Sequence, residues 1–123
     1  MSDKLLFTCT HASDDPERAI LPFVAANTAA VAGLEAVVLL TIEGVWLGTA
    51  GGTDGIEKEG FPSLPSLYEE FVRNGGEVWL CGTCAKPRGI TEDQLAGGYY
   101  QLVLSPGADD LWQLSWVQFK SGG

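Results

Sequence analysis

"EAVVLLTI", Glu35–Ile42, is, after its opening glutamate, an unbroken run of alanine, leucine and β-branched residues. A strand with one solvated face alternates apolar and polar side chains. A run without alternation predicts a strand covered on both faces, as in parallel sheets. The segments on either side agree with that reading. Upstream, "KLLFTC" (Lys4–Cys9) reads as a shorter strand, and "HASDDPERAI" carries helix-start signals. Asp14 or Asp15 can cap, Pro16 suits the first turn and Glu17 complements the helix dipole; Asp14 with Glu17 has capping-box spacing. This helix is expected to reach about Ala32, with Ile20, Val24, Asn27 and Val31 on one face. Pro22 should bend it or delay its start, and Gly33 should stop it.

Downstream, Glu43–Gly60 is glycine-rich and reads as a long loop, with Trp46 placed to line a pocket or an interface. "PSLPSLYEEFVRNGG" is a second helix: Ser66 and Glu69 have capping-box spacing, and Leu64, Leu67, Tyr68, Phe71 and Val72 recur at helical intervals. "EVWLC" (Glu77–Cys81) is a third strand. Thr91 is a cap for a short helix in "ITEDQL", and "YYQLVL" (Tyr99–Leu104) is a fourth strand. "SPGADDLWQL" reads as a turn with a short helix, and "SWVQFK" as a fifth strand. Alternating strands and helices specify βαβ units around a mostly parallel sheet. The expectation is a single α/β domain over residues 1–123: a flavodoxin-like three-layer sandwich with five strands in the order 2-1-3-4-5. In that order the first strand lies beside the third. Cys9, His11, Cys81 and Cys84 would then meet at the carboxyl edge, near the point where the strand order reverses.

A chain of 123 residues fits one domain, and its 46% apolar content is enough for a buried core. The formal charge of −9 argues against nucleic acid, which requires clustered lysine and arginine, and against anionic membrane surfaces. The opening residues lack the apolar core of a signal peptide, and Pro22, Asn27, Gly33 and Glu35 interrupt the longest apolar stretch. Three cysteines, two of them in one C-x-x-C, do not make a disulfide framework. A cytoplasmic protein in a reducing compartment is expected.

The chemistry centres on "EVWLCGTCAKPRG", Glu77–Gly89. The thiolate is the reactive form of cysteine, and nearby cations favour it. Of only seven basic residues, Lys86 and Arg88 both lie within seven positions of Cys81. Cys81 is therefore the expected nucleophile, Cys84 its companion thiol, and Cys9 an auxiliary group. A thioredoxin motif opens a substantial helix directly, whereas here Pro87, Arg88 and Gly89 close in behind the pair and mark a strand-end loop. Cys9, His11, Cys81 and Cys84 also have the composition of a tetrahedral zinc set, although a lone C-x-x-C is a weak metal signal. No cofactor is expected, with zinc as the alternative. His11, the sole histidine, is the one proton carrier near neutrality at this edge, or else a solvated loop residue. "GTAGGTDG" (Gly48–Gly55) matches neither a dinucleotide fingerprint nor a P-loop.

At "VWLCGTCAKPRGIT" the sequence resembles the DsrE/DsrF-like family, which includes the YchN-like proteins: a third strand ends in cysteine and is followed by a loop and an Arg-Gly pair. "KLLFTCTHASDDPERA" and "EAVVLLTIEGVWL" resemble that family's first strand and helix and its second strand. The resemblance implies a flavodoxin-like subunit assembling into trimers or hexamers. It implies that Cys81 carries a persulfide, accepting sulfane sulfur and passing it to a partner protein. Cys84 departs from a one-cysteine relay, because a second thiol can resolve a persulfide to a disulfide and release sulfide. The other reading is a non-enzymatic oligomeric binding or assembly module whose cysteines are structural or hold zinc.

Overall fold

The computed structural model describes residues 4–91, 94, 100–106 and 112–118, with side-chain surroundings for 5–91 and for Gln94. The described elements run β1 (Lys4–Cys9), α1 (Pro16–Val31), β2 (Glu35–Leu40), the 3-10 segment η1 (Ile42–Gly48) and α2 (Leu64–Arg73). They continue with β3 (Glu77–Cys81), the single turn α3 (Gly82–Ala85), the 3-10 segment η2 (Lys86–Arg88), β4 (Tyr100–Pro106) and β5 (Trp112–Gln118).

Hydrogen-bonded neighbours follow the order β1-β2-β3-β4-β5. The pairs β1–β2, β2–β3 and β3–β4 are parallel, and β5 runs antiparallel to β4. This corrects the expected order 2-1-3-4-5: β1 lies beside β2, and β2 separates it from β3. The reason lies in the composition of the two strands. A strand covered on both faces must be apolar throughout, and that strand is β2, where Val37 and Val38 are fully buried. β1 leaves Leu6 53% exposed and Thr8 in solvent, which suits an edge. The run at Glu35–Leu40 thus marked the inner strand, and the flavodoxin order would have put it outside.

The strand order also decides the layers. Consecutive right-handed crossovers that advance in one direction put their helices on one face. α1 packs against α2 as well as against β1 and β2, so these two crossover helices share a face. Phe23 of α1 meets Tyr68 and Phe71 of α2 edge-on, each with ring centroids 6.0 Å apart. Asn27, buried in α1, accepts a hydrogen bond from Asn74 Nδ2 at 3.1 Å, which satisfies its carbonyl in the apolar interface. From the sheet, Ala36, Val38, Leu40, Val78 and Leu80 complete this core.

Several local expectations are corrected. Asp15, one of the two expected caps, accepts from Arg18 N–H, so the Asp14–Glu17 box does not form; Pro16 starts the helix undelayed, with Pro22 inside it. The buried face runs through Ile20, Phe23, Asn27 and Ala30, leaving Val31 66% exposed. Ser63 precedes α2, so Ser66 lies inside the helix, bonded to Ser63 Oγ, and the Ser66–Glu69 box does not form. β2 ends at Leu40, and η1 opens a region that reads from sequence as loop. Trp112–Leu114, expected in a helix, belong to β5. Most of the expected "ITEDQL" helix lies outside the described residues.

Candidate functional site

Parallel strands bring their carboxyl ends to one edge, and there the chain places both of its cysteine segments. Strand alternation then separates them. Cys9 pairs in register with Leu40, and Leu40 with Leu80, so Cys9 shares the helix-covered face and Cys81, one residue further on, takes the other.

Cys9 is fully buried, and its Sγ donates toward the carbonyls of His11 at 3.4 Å and Ala19 at 3.7 Å. Burial pushes the thiol up to about 11; the hydrogen bond to His11 opposes this and the Asp14 charge adds to it. At neutral pH it is a packed thiol within the β1–α1 connection. His11 Nδ1 lies 2.8 Å from Asp14 Oδ2, and Asp14 Oδ1 accepts from Ala12 N–H at 2.7 Å. These two contacts, the histidine first, hold the Asp14 carboxyl below its ordinary range. Asp14 is therefore the partner of His11 and not a helix cap.

Cys81 ends β3 and occupies the N-cap position of α3, with extended backbone angles of −75° and 111°. Cys84 is the third residue of the helical turn. Side chains at N-cap and N3 face each other, and here both are thiols. Cys81 is 7% exposed and Cys84 half-buried; both are free. Burial raises the Cys81 pKa first of all, and the Cys84 thiol adds to the rise through a side-chain hydrogen bond. The Cys84 and Thr83 amides oppose it, without closing a formal capping bond. The resting group is a thiol, not a thiolate.

The partners of the Arg88 guanidinium are oxygen atoms. Its Nε and Nη2 each lie 3.0 Å from Glu43 Oε1, and Nη1 donates to the Cys84 carbonyl at 3.0 Å. Lys86 is exposed on η2. Gly89, at φ +73°, supplies the left-handed residue that ends η2. The Arg-Gly pair thus clamps and terminates the turn that carries the thiols.

Sequence reasoning missed η1, which packs on α3. Glu43 is the Arg88 partner. A Cβ on Gly44 would lie 2.2 Å from the Cys9 carbonyl oxygen, so only glycine lets η1 lie against the end of β1. Ile42 adopts φ +53°, a left-handed conformation costly to a β-branched residue. The signal for η1 was "EGV" directly after an apolar strand. Trp46, 39% exposed, lines a shallow cleft of about 320 Å³ with Thr49, Ala50 and Gln94.

Among the described residues, no three His, Cys, Asp or Glu side chains converge closely enough to hold a metal ion. Cys9, His11, Cys81 and Cys84 do not form the zinc set that their composition allowed. Cys81 and Cys84 lie at the end of β3, on the turn that Arg88 holds, and Cys9 and His11 lie at the end of β1, with β2 between. Among the same residues, no helix is long and apolar enough to cross a membrane.

A mostly parallel α/β sheet with a thiol pair at the carboxyl end of a central strand defines the class. The chain matches the DsrE/DsrF-like family over residues 3–114 and belongs to that family. It is 28% identical over 97 residues to the uncharacterized protein MJ0760 of Methanocaldococcus jannaschii, covering 79% of this chain and 35% of that protein. It thus spans about a third of that relative's length. The uncharacterized protein MK0008 of Methanopyrus kandleri is 32% identical over 96 residues, covering 78% of this chain and 76% of the relative. The crystal structure of the ychN protein from E. coli superposes with a TM-score of 0.56 at 20% identity, covering 73% of this chain and 74% of that one, a likeness of fold.

Proposed function

We propose that this protein handles sulfane sulfur or redox equivalents as a cytoplasmic thiol protein, with Cys81 as the carrier and Cys84 as the thiol that modulates or resolves it. The single observation behind this reading is the pairing of two free thiols at the N-cap and N3 positions of α3, at the carboxyl end of an inner strand. Family membership supports it, since the family is associated with sulfur relay. In the accepting step a cysteine thiolate attacks the outer sulfur of a donor persulfide; a protein persulfide forms and the donor leaves as a thiolate. Where Cys84 then attacks Cys81 Sγ, a Cys81–Cys84 disulfide forms and sulfide departs, so the two electrons of the S–S bond stay accounted for. A dithiol reductant restores the pair. Arg88 positions the turn through Glu43 and the Cys84 carbonyl, and Lys86 offers an exposed cation for an anionic donor.

The test is residue-resolved mass spectrometry of wild-type protein exposed to glutathione persulfide. One added sulfur on Cys81, or a Cys81–Cys84 disulfide with one sulfide released per chain, is expected. An unmodified thiol pair after treatment with this and an inorganic polysulfide donor overturns the proposal. Assembly into homo-oligomers belongs to the same reading, supported by the exposed Trp46 on η1. Sedimentation at several protein concentrations checks it.

A further inference from the structure

The two thiols of the pair are not equally placed, and their order is the reverse of what chain position suggests. Cys81 ends a strand covered by neighbours on both sides and is 7% exposed. Cys84, a turn later, is half-buried and is the more exposed residue of the two. Thr83 beside it is exposed, as is Lys86. The Arg88 clamp holds the Cys84 carbonyl, which fixes the turn carrying this sulfur. An incoming persulfide meets Cys84 before it can meet Cys81.

We infer that Cys84 is the receiving thiol and that sulfur passes inward from Cys84 to Cys81, the geometry being an outer and an inner sulfur facing each other across one helical turn. The inference rests on the sulfur-handling reading above. In the first step the Cys84 thiolate attacks the outer sulfur of the donor R–S–SH; Cys84–S–SH forms and R–S⁻ leaves. In the second, the Cys81 sulfur attacks the outer sulfur of Cys84–S–SH while its proton passes to the Cys84 sulfur. Cys81–S–SH and the Cys84 thiol result. Both steps exchange one S–S bond for another, and neither needs an oxidant or a reductant. The inner persulfide then lies on the less exposed residue, where it is held until an acceptor takes it or Cys84 resolves it to the disulfide.

Two measurements separate this inference from the reading it rests on. Timed alkylation of the reduced protein with iodoacetamide, read by peptide mass spectrometry, reports the order of access without any sulfur chemistry. Cys84 is expected to label at least tenfold faster than Cys81; equal rates, or Cys81 first, overturn the inference. In the second, glutathione persulfide is added to C81S and C84S, each first shown to melt cooperatively. C81S should trap the added sulfur on Cys84, and C84S should load Cys81 at least tenfold more slowly than wild type loads the pair. Loading of Cys81 in C84S at the wild-type rate overturns the inward relay and leaves the carrier role of Cys81 intact. Loading of neither thiol in wild type overturns the carrier role itself, and the relay with it.

Discussion

Arg88 and Glu43, 45 residues apart in the chain, close on each other with two guanidinium nitrogens 3.0 Å from a single carboxylate oxygen. The pair joins the segment after β2 to the turn after β3, and through the Cys84 carbonyl it fixes the backbone of one of the two thiols. A cation expected to activate a cysteine instead holds the frame in which the cysteines meet.

Truncating the clamp should therefore cost more on one side than on the other. Glu43 is 45% exposed and Arg88 24%, so Glu43→Ala should lose under about 1 kcal/mol, as partly exposed ion pairs do. Arg88→Ala also strands the Cys84 carbonyl and should lose about 1–2 kcal/mol. Urea unfolding of the two single variants and the double variant checks this. A strictly additive double variant would show that the two residues do not act together.

Gly44→Ala tests the approach of η1 to β1. The new methyl would sit 2.2 Å from the Cys9 carbonyl oxygen and 3.4 Å from Thr10 Cα, backbone atoms that cannot step aside cheaply. A loss of at least about 2 kcal/mol is expected, as for other overpacked sites. A thermal midpoint within a degree or so of wild type would contradict the close packing.

Ile42 offers the opposite sign. Its φ of +53° strains a β-branched residue, and its side chain is 51% exposed, so little burial is lost on replacement. Ile42→Asn should raise stability by about 1 kcal/mol, because asparagine tolerates the left-handed region. Thermal unfolding at matched pH reads the change directly.

Cys9 predicts an alkaline weakness. Its folded thiol titrates at about 11, above its unfolded value, so between those two values the folded state holds a proton that the unfolded chain has released. Stability from this group is full below the unfolded value and drains away as pH rises through the folded one. The total is about 3 kcal/mol. Denaturant unfolding of wild type and Cys9→Ala at pH values below and within this window should show wild type losing more; parallel slopes would refute it.

Much of the architecture was legible in local sequence. The strands at Lys4–Cys9 and Glu77–Cys81 and the two long helices follow from periodicity, caps and breakers acting over a few residues, and so does the location of the C-x-x-C at a strand end. The candidate site was legible as a pair of thiols but not as a geometry. Which strand lies next to which, and hence that Cys9 and Cys81 take opposite faces, depends on pairing between segments tens of residues apart, which no local pattern encodes. The burial of Val37 beside the exposure of Leu6 held the clue, since only an inner strand can be apolar on both faces. The Arg88–Glu43 clamp and the approach of Gly44 to Cys9 arise only once η1 has folded over the carboxyl ends of the strands. Sequence alone named the thiols; tertiary packing decided which of them is buried, because burial belongs to neighbours brought in from elsewhere in the chain.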